Sequence, residues 1–191
     1  MTVPPSLPTW ATPKPAAGPP APDSPLDRQF GAFIGPRWPR YRRKFTPFFT
    51  EPRFQPTWNW AAALTIPLFG LWFLYRKLYL PAIAFWMLPS IALSLLWRGG
   101  PVTMQDILGN PDLQLLISGV QLSTVILAGG TANFLLFRRA QAAIRLVQAR
   151  GASEEQAKTL LARVGRVNAL AVLGGLVLML LMVGLYQGGV R

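Results

Sequence analysis

Few residues of this chain could do acid–base or nucleophilic chemistry: seven carboxylates, no histidine and no cysteine among 191 residues. Lacking imidazole and thiolate, it excludes disulfides, the usual zinc, iron–sulfur and haem ligation, and Ser-His or Cys-His pairs. The carboxylates are Asp23, Asp27, Glu51, Asp106, Asp112, Glu154 and Glu155. Only the last two are adjacent, and no HExxH, GxSxG, Walker or dinucleotide-binding pattern accompanies them. No catalytic residue, metal ligand or cofactor ligand is expected, and the chain reads as a non-enzyme.

Positive charge is the more informative chemistry. Nineteen Lys and Arg against seven Asp and Glu give a formal charge of +12, yet mean hydropathy is +0.32. Nucleic-acid binders carry such charge on soluble folds, whereas charge combined with apolar character points to a membrane. The run Arg37-Trp38-Pro39-Arg40-Tyr41-Arg42-Arg43-Lys44 interleaves five cations with two aromatics. Just ahead of apolar segments, such residues fix orientation and contact anionic lipid headgroups or partner subunits. Arg37, Arg40, Arg42, Arg43, Lys44, Arg76 and Lys77 are therefore the candidate lipid- and partner-binding cations, with Trp38 and Tyr41 as interfacial anchors. Nucleic acid, which the same run could grip through phosphates and stacked bases, is not the expected partner.

Those cations must be placed by the elements around them. Residues 1–36 are rich in proline, nine of the 19 falling before Leu26, and are expected to form an extended, partly polyproline-II arm. No apolar stretch of 7–15 residues stands near the start, as a cleaved secretory signal would require, so the arm is expected to be retained. A juxtamembrane segment at 37–59 follows. Four apolar stretches come next, at 60–75, 78–97, 113–137 and 168–186. A spanning helix needs roughly 17–25 residues, so the last three qualify; the first has only 16 residues, with Pro67 and Gly70 among them.

Flanking charge decides how the first stretch lies. The first 59 residues carry eight cations and three carboxylates, Arg76 and Lys77 add two cations, and 138–166 holds seven against Glu154 and Glu155. The 98–112 loop has Arg98 against Asp106 and Asp112. Because cytoplasmic loops are enriched in Lys and Arg, all three basic segments belong on one side, which requires three crossings rather than four. The fold expected is thus an all-α integral membrane protein. Three transmembrane helices (78–97, within 113–150, and within 151–187) are preceded by a re-entrant or interfacial helix over 60–77. An outer loop spans 98–112 and a tail 188–191. The N-terminus is placed in the cytoplasm and the C-terminus in the periplasm of a bacterial inner membrane.

The third stretch runs on without Gly or Pro to Arg150, which predicts a helix that leaves the membrane. Gly151 suits its end and Ser153 with Gln156 suits a capping box starting the next helix, so a helical hairpin extends into the cytoplasm, with the second helix continuing into the last span. Leu160, Leu161 and Val164 are expected to face the hairpin partner. Small residues four apart, Gly119 and Ser123 on one span and Ala171 and Gly175 on another, predict close helix contact. Gln121 and Asn133, polar residues within a span, are expected to hydrogen-bond between helices.

The sequence Trp58-Asn59-Trp60-Ala61-Ala62, continuing through Pro67 and Gly70 to Trp72-Phe73-Leu74-Tyr75-Arg76-Lys77-Leu78-Tyr79, resembles a family of small bacterial inner-membrane proteins of unknown function. Ile34-Gly35 and the 41–45 segment resemble that family's lead-in, and the likeness covers about a third of the chain. It implies a bacterial membrane location and assigns no reaction.

The expected role is that of a non-catalytic accessory subunit of a large membrane complex, photosynthetic or respiratory, whose partners are other subunits and anionic lipids. Contact with lipid, carotenoid or pigment edges would fall to Trp72, Phe73, Phe85 and Trp86. Two alternatives remain at this point: a small transporter or channel built around Gln121 and Asn133, and a membrane-anchored adaptor with a lipid- or nucleic-acid-binding basic segment.

Overall fold

The computed structural model describes residues 18–188 apart from 52, 69, 99 and 101. Residues 1–17 of the proline arm and the tail residues 189–191 lie outside the described residues. Helices are the only regular elements among them, and three are long and apolar enough to cross a membrane, the architecture of a multi-pass membrane protein.

Part of the segment expected to be extended is helical. Ser24 caps helix α1 (Pro25–Ile34) by accepting from the Asp27 amide, with Pro25 in the first turn; proline is tolerated there because its missing N–H would be unpaired anyway. The helix buries Phe30, Phe33 and Ile34. A turn at Gly35, φ +81°, leads into α2 (Trp38–Thr50). The basic-aromatic run is amphipathic at the helical period. Trp38, Tyr41, Phe45, Phe48 and Phe49 turn inward while Arg37, Arg40 and Arg43 face out.

The 60–77 stretch is two short helices rather than one. Helix α3 (Trp60–Leu64) ends at Thr65, a 3-10 turn follows at Ile66–Leu68, and α4 (Leu71–Tyr75) begins after Gly70 in the left-handed region, φ +61°. Thr65 fixes the break, its hydroxyl donating to Ala61 O at 2.8 Å and accepting from the Trp72 amide at 3.1 Å. Next comes α5 (Tyr79–Leu96), the first candidate span. The 98–112 loop contains a further helix, α6 (Met104–Gly109), closed by a Thr103–Asp106 capping box.

Helix α7 (Pro111–Ala149) has 39 residues, about 58 Å at 1.5 Å per residue, so it outruns a bilayer core of ~30 Å as its sequence implies. Gly151 at φ +64° ends it, and Ser153 with Gln156 forms the expected capping box of α8 (Glu154–Gly165). The path into the last span is not continuous. Arg166 leaves the helical region (φ −53°, ψ 134°), and Asn168 restarts the chain by accepting from the Ala171 amide at 3.0 Å, giving α9 (Ala169–Gly188).

The core lies where α1, α2 and α8 pack on the C-terminal half of α7. It is largely aromatic. Phe137 of α7 stacks on Phe30 at 5.7 Å and meets Phe45, Phe48 and Phe49 at 5.3, 5.2 and 5.0 Å. Rings at such separations contribute beyond their buried area. The α7–α8 hairpin therefore does not stand alone in solvent but is sheathed by the N-terminal helices. Leu161 is fully buried, Leu160 partly so, and Val164 is exposed.

Candidate functional site: a basic cleft at the root of the spans

Two polar constructions hold the ends of the candidate spans. The first is an asparagine node. Asn133, fully buried on α7, accepts from Asn59 Nδ2 at 2.9 Å and donates to Thr57 O at 3.0 Å and Thr57 Oγ1 at 3.1 Å. Asn59 also caps α3 through the Ala62 amide, and its own N–H donates to Gly129 O at 2.9 Å. That approach needs Gly129, since a Cβ there would meet Trp58 at 2.9 Å and Ala63 at 3.0 Å. Every polar group of this node has a partner, as burial demands. It carries no titratable group, so its work is to clamp the 57–64 segment to α7.

The second construction is a cleft of about 350 Å³ between the α1–α2 turn, the end of α4 and the end of α8, lined by Phe33, Ile34, Arg37, Tyr75, Arg76 and Arg166 among others. Its walls meet because Gly165 has no side chain: a Cβ there would lie 1.9 Å from Phe33 O. Arg76 caps α4 and is 5 % exposed. Its guanidinium lies over the rings of Tyr41 and Tyr75, 5.2 and 5.8 Å from their centroids. Buried Arg76 Nε has no hydrogen-bond partner among the described residues. Lys77 adopts φ +56°, a left-handed C-terminal cap usually left to glycine. The cap is closed by Leu78 N donating to Phe73 O at 2.8 Å.

Neighbouring cations tie this corner together through carbonyls. Arg139 of α7 donates to Arg76 O and, at 3.4 Å, to Val164 O. Lys77 Nζ reaches Arg163 O and Val164 O at 3.5 Å each, satisfying carbonyls at the end of α8 that its own helix leaves free. Asn168 N donates to Tyr75 O at 2.9 Å and Asn168 Nδ2 to Tyr79 OH at 2.8 Å, pinning the start of α9 to the start of α5.

The basic run is thus divided by the helix it forms. Trp38 and Tyr41, expected as interfacial anchors, are instead core residues, because they fall on the face α2 turns to α7. Trp38 stacks on Phe30 at 5.3 Å and donates from Nε1 to Asp27 Oδ1 at 3.0 Å. Arg42 pairs with the same carboxylate at 3.2 Å and donates to Pro20 O at 2.6 Å. Lys44 donates to Trp58 O at 2.8 Å, and its ammonium pKa is lowered by burial and by Arg40 nearby. Arg37, Arg40 and Arg43 are left exposed. With its aromatic half buried, the run offers no rings on which bases could stack.

Of the packing residues, Gly175 lies against α4, where a Cβ would meet Leu74 at 2.9 Å and Leu71 at 3.3 Å; Ala171, one turn earlier on α9, is half-buried. Gly119 and Ser123 do not bring two spans of this chain into close contact. They line an open groove of about 650 Å³ between α5 and α7, and nothing lies within 4 Å of a Cβ at Gly119. Gln121, expected to bond between helices, is exposed on α7. Trp72 and Phe73 are buried within the fold, and Trp86 is exposed. Reasoning from the sequence missed Arg166 and Arg139; the signal available was their place beside Gly165 and at the end of the third apolar stretch.

No family model, no curated protein and no solved structure matches this chain.

Proposed function

We propose that this chain is a non-catalytic accessory subunit of a larger complex in a bacterial inner membrane, held there by its spans and by the basic face of α2. The observation that carries the reading is how little of two of the three candidate spans, α5 and the last, is buried within this chain. Of the most apolar 18-residue windows, 6 % of the residues of α5 and none of those of the last span are buried. Such spans are content in lipid alone, but α7 also presents Ser118 and Gln121 on one exposed side. A polar amide facing hydrocarbon is costly unless another group satisfies it, and a neighbouring subunit would supply that group.

On this reading the N-terminal helices, the Arg76 corner and the α7–α8 hairpin lie in the cytoplasm, α6 lies in the periplasm, and the short helices α3 and α4 enter the membrane without crossing it. A transporter gains no support, since Asn133 is wholly engaged in the clamp. Extraction of native membranes with a mild detergent, followed by sizing and identification of what co-purifies, tests the proposal. The chain should migrate with other integral subunits, and the absorption spectrum of that fraction would separate a photosynthetic from a respiratory host. Recovery solely as a 21.1 kDa monomer would overturn it.

A further inference from the structure

We propose that the cleft bounded by Arg37, Arg76 and Arg166 binds a phosphate group, presented either by a phospholipid headgroup or as free phosphate. Three arginines line it and, among the described residues, no Asp or Glu does. Of the acidic residues of α1 and α8, Asp27 pairs with Arg42 and Glu154 with Arg28 at 2.7 Å, and Glu155 lies in the first turn of α8, at the other end of that helix from Gly165. Like charges gathered without a counter-charge repel, and an anion relieves that repulsion.

Arg76 supplies the independent sign of a ligand. Its guanidinium lies over the rings of Tyr41 and Tyr75, neither of which accepts a hydrogen bond from it, and its buried Nε is unpaired among the described residues. A buried charged donor without an acceptor is disfavoured, and the planar fork of arginine matches phosphate oxygens. Arg37 and Arg166 are exposed at the rim, where they can close over a bound group. The lining between them, Phe33, Ile34 and Val167, is apolar enough to shield that contact from water.

Placement favours a lipid as the source. Arg76 stands three residues before α5 and Arg166 three before α9, so the cleft opens where two candidate spans begin, the depth of headgroups. The proposal does not depend on the subunit reading, which is tested in native membranes, whereas the following assay uses the isolated full chain.

Thermal unfolding of the full chain in neutral detergent is followed while dioleoyl phosphatidylglycerol, dioleoyl phosphatidylcholine or inorganic phosphate is titrated at constant ionic strength. Three proteins are compared: the wild type, Arg37→Glu/Arg166→Glu, and the charge-matched control Arg145→Glu/Arg150→Glu on the exposed side of α7. The rim variant alters exposed side chains alone, so it folds even if Arg76→Gln does not. The expected result is a saturable rise in Tm of the wild type and the control with phosphatidylglycerol and not with phosphatidylcholine. In the rim variant the apparent affinity should fall about a hundredfold, roughly tenfold for each guanidinium removed. An equal response to inorganic phosphate would identify free phosphate as the source. No saturable shift with either anion, or the same fall in affinity in the control pair, overturns the site.

Discussion

Replacing Gly165 by alanine should open the corner where α8 crosses α1. A Cβ at that position would lie 1.9 Å from Phe33 O and 2.8 Å from Phe33 Cα, about 1.5 Å short of ordinary contact. The obstacle is backbone, so no rotamer change relieves it, and α8 must withdraw from α1. Phe33, Ile34, Ala157 and Leu161, all buried, then lose close packing together. Overpacking of this kind costs about 1–3 kcal/mol; the gain from removing a glycine, ~1 kcal/mol in a helix interior, is smaller here because Gly165 ends its helix. A net loss of about 2 kcal/mol corresponds to a fall in Tm of roughly 4–8 °C for a chain of this size. The assay is thermal unfolding in detergent, with Gly130→Ala as control. That glycine is inside α7 with nothing within 4 Å of its Cβ, so its replacement should leave Tm unchanged or raise it. Equal stability of Gly165→Ala and wild type, or an equal loss in both variants, would refute the reasoning.

Asn133→Leu should cost about 2–4 kcal/mol, because it strands Asn59 Nδ2 and Thr57 O in a buried site, and a double-mutant cycle with Asn59→Ala should show coupling of about 1 kcal/mol; additive losses would mean that the node is not a clamp. The lowered pKa of Lys44 means that the folded state binds its proton less readily than the unfolded chain, whose reference is 10.5. Stability should therefore rise with pH between the folded-state pKa and 10.5, and the Tm of wild type relative to Lys44→Met should move in favour of wild type across that window. Because the chain has no cysteine, single exposed cysteines report sidedness directly. Lys158→Cys should label with an impermeant maleimide from the cytoplasmic face alone and Gln105→Cys from the opposite face alone, and labelling of both from one face contradicts three crossings.

What the sequence discloses of this fold follows from what is local. The end of α7 at Gly151, the Ser153 capping box and the three long apolar helices each depend on residues within a few positions of one another, and each appears where the pattern put it. The break at Arg166 was announced only by Gly165, which a helix tolerates; Asn168 acts there as an N-cap, and the apolar run beginning beside it reads equally well as continuation. The short helices α3 and α4 follow from Thr65 using one hydroxyl to close two turns, which no periodicity announces. Helix α1 was masked by proline composition, although the signal Ser24-Pro25 with Asp27 was present.

The site was legible only in part, for the same reason. A basic-aromatic run states that cations and rings alternate, and a helix then separates them by the 100° step between residues. The rings of α2 were free to go to a membrane surface or to a core, and Phe137 of α7, beyond any local pattern, decided for the core. Once Trp38 and Tyr41 are drawn inward, Arg37 is carried to the turn beside Gly35, and Arg76 is laid against the buried Tyr41 ring. The cleft is thus a consequence of the aromatic packing: residues distant in sequence supply its three guanidinium groups, and the core beneath them fixes where they stand. Substitutions in that core, such as Phe137→Leu, should therefore weaken anion binding in proportion to the packing they remove, without touching an arginine. Rim substitutions at Arg37 or Arg166 should weaken binding while leaving the unliganded Tm unchanged, and that contrast separates a site built by the fold from a merely basic surface.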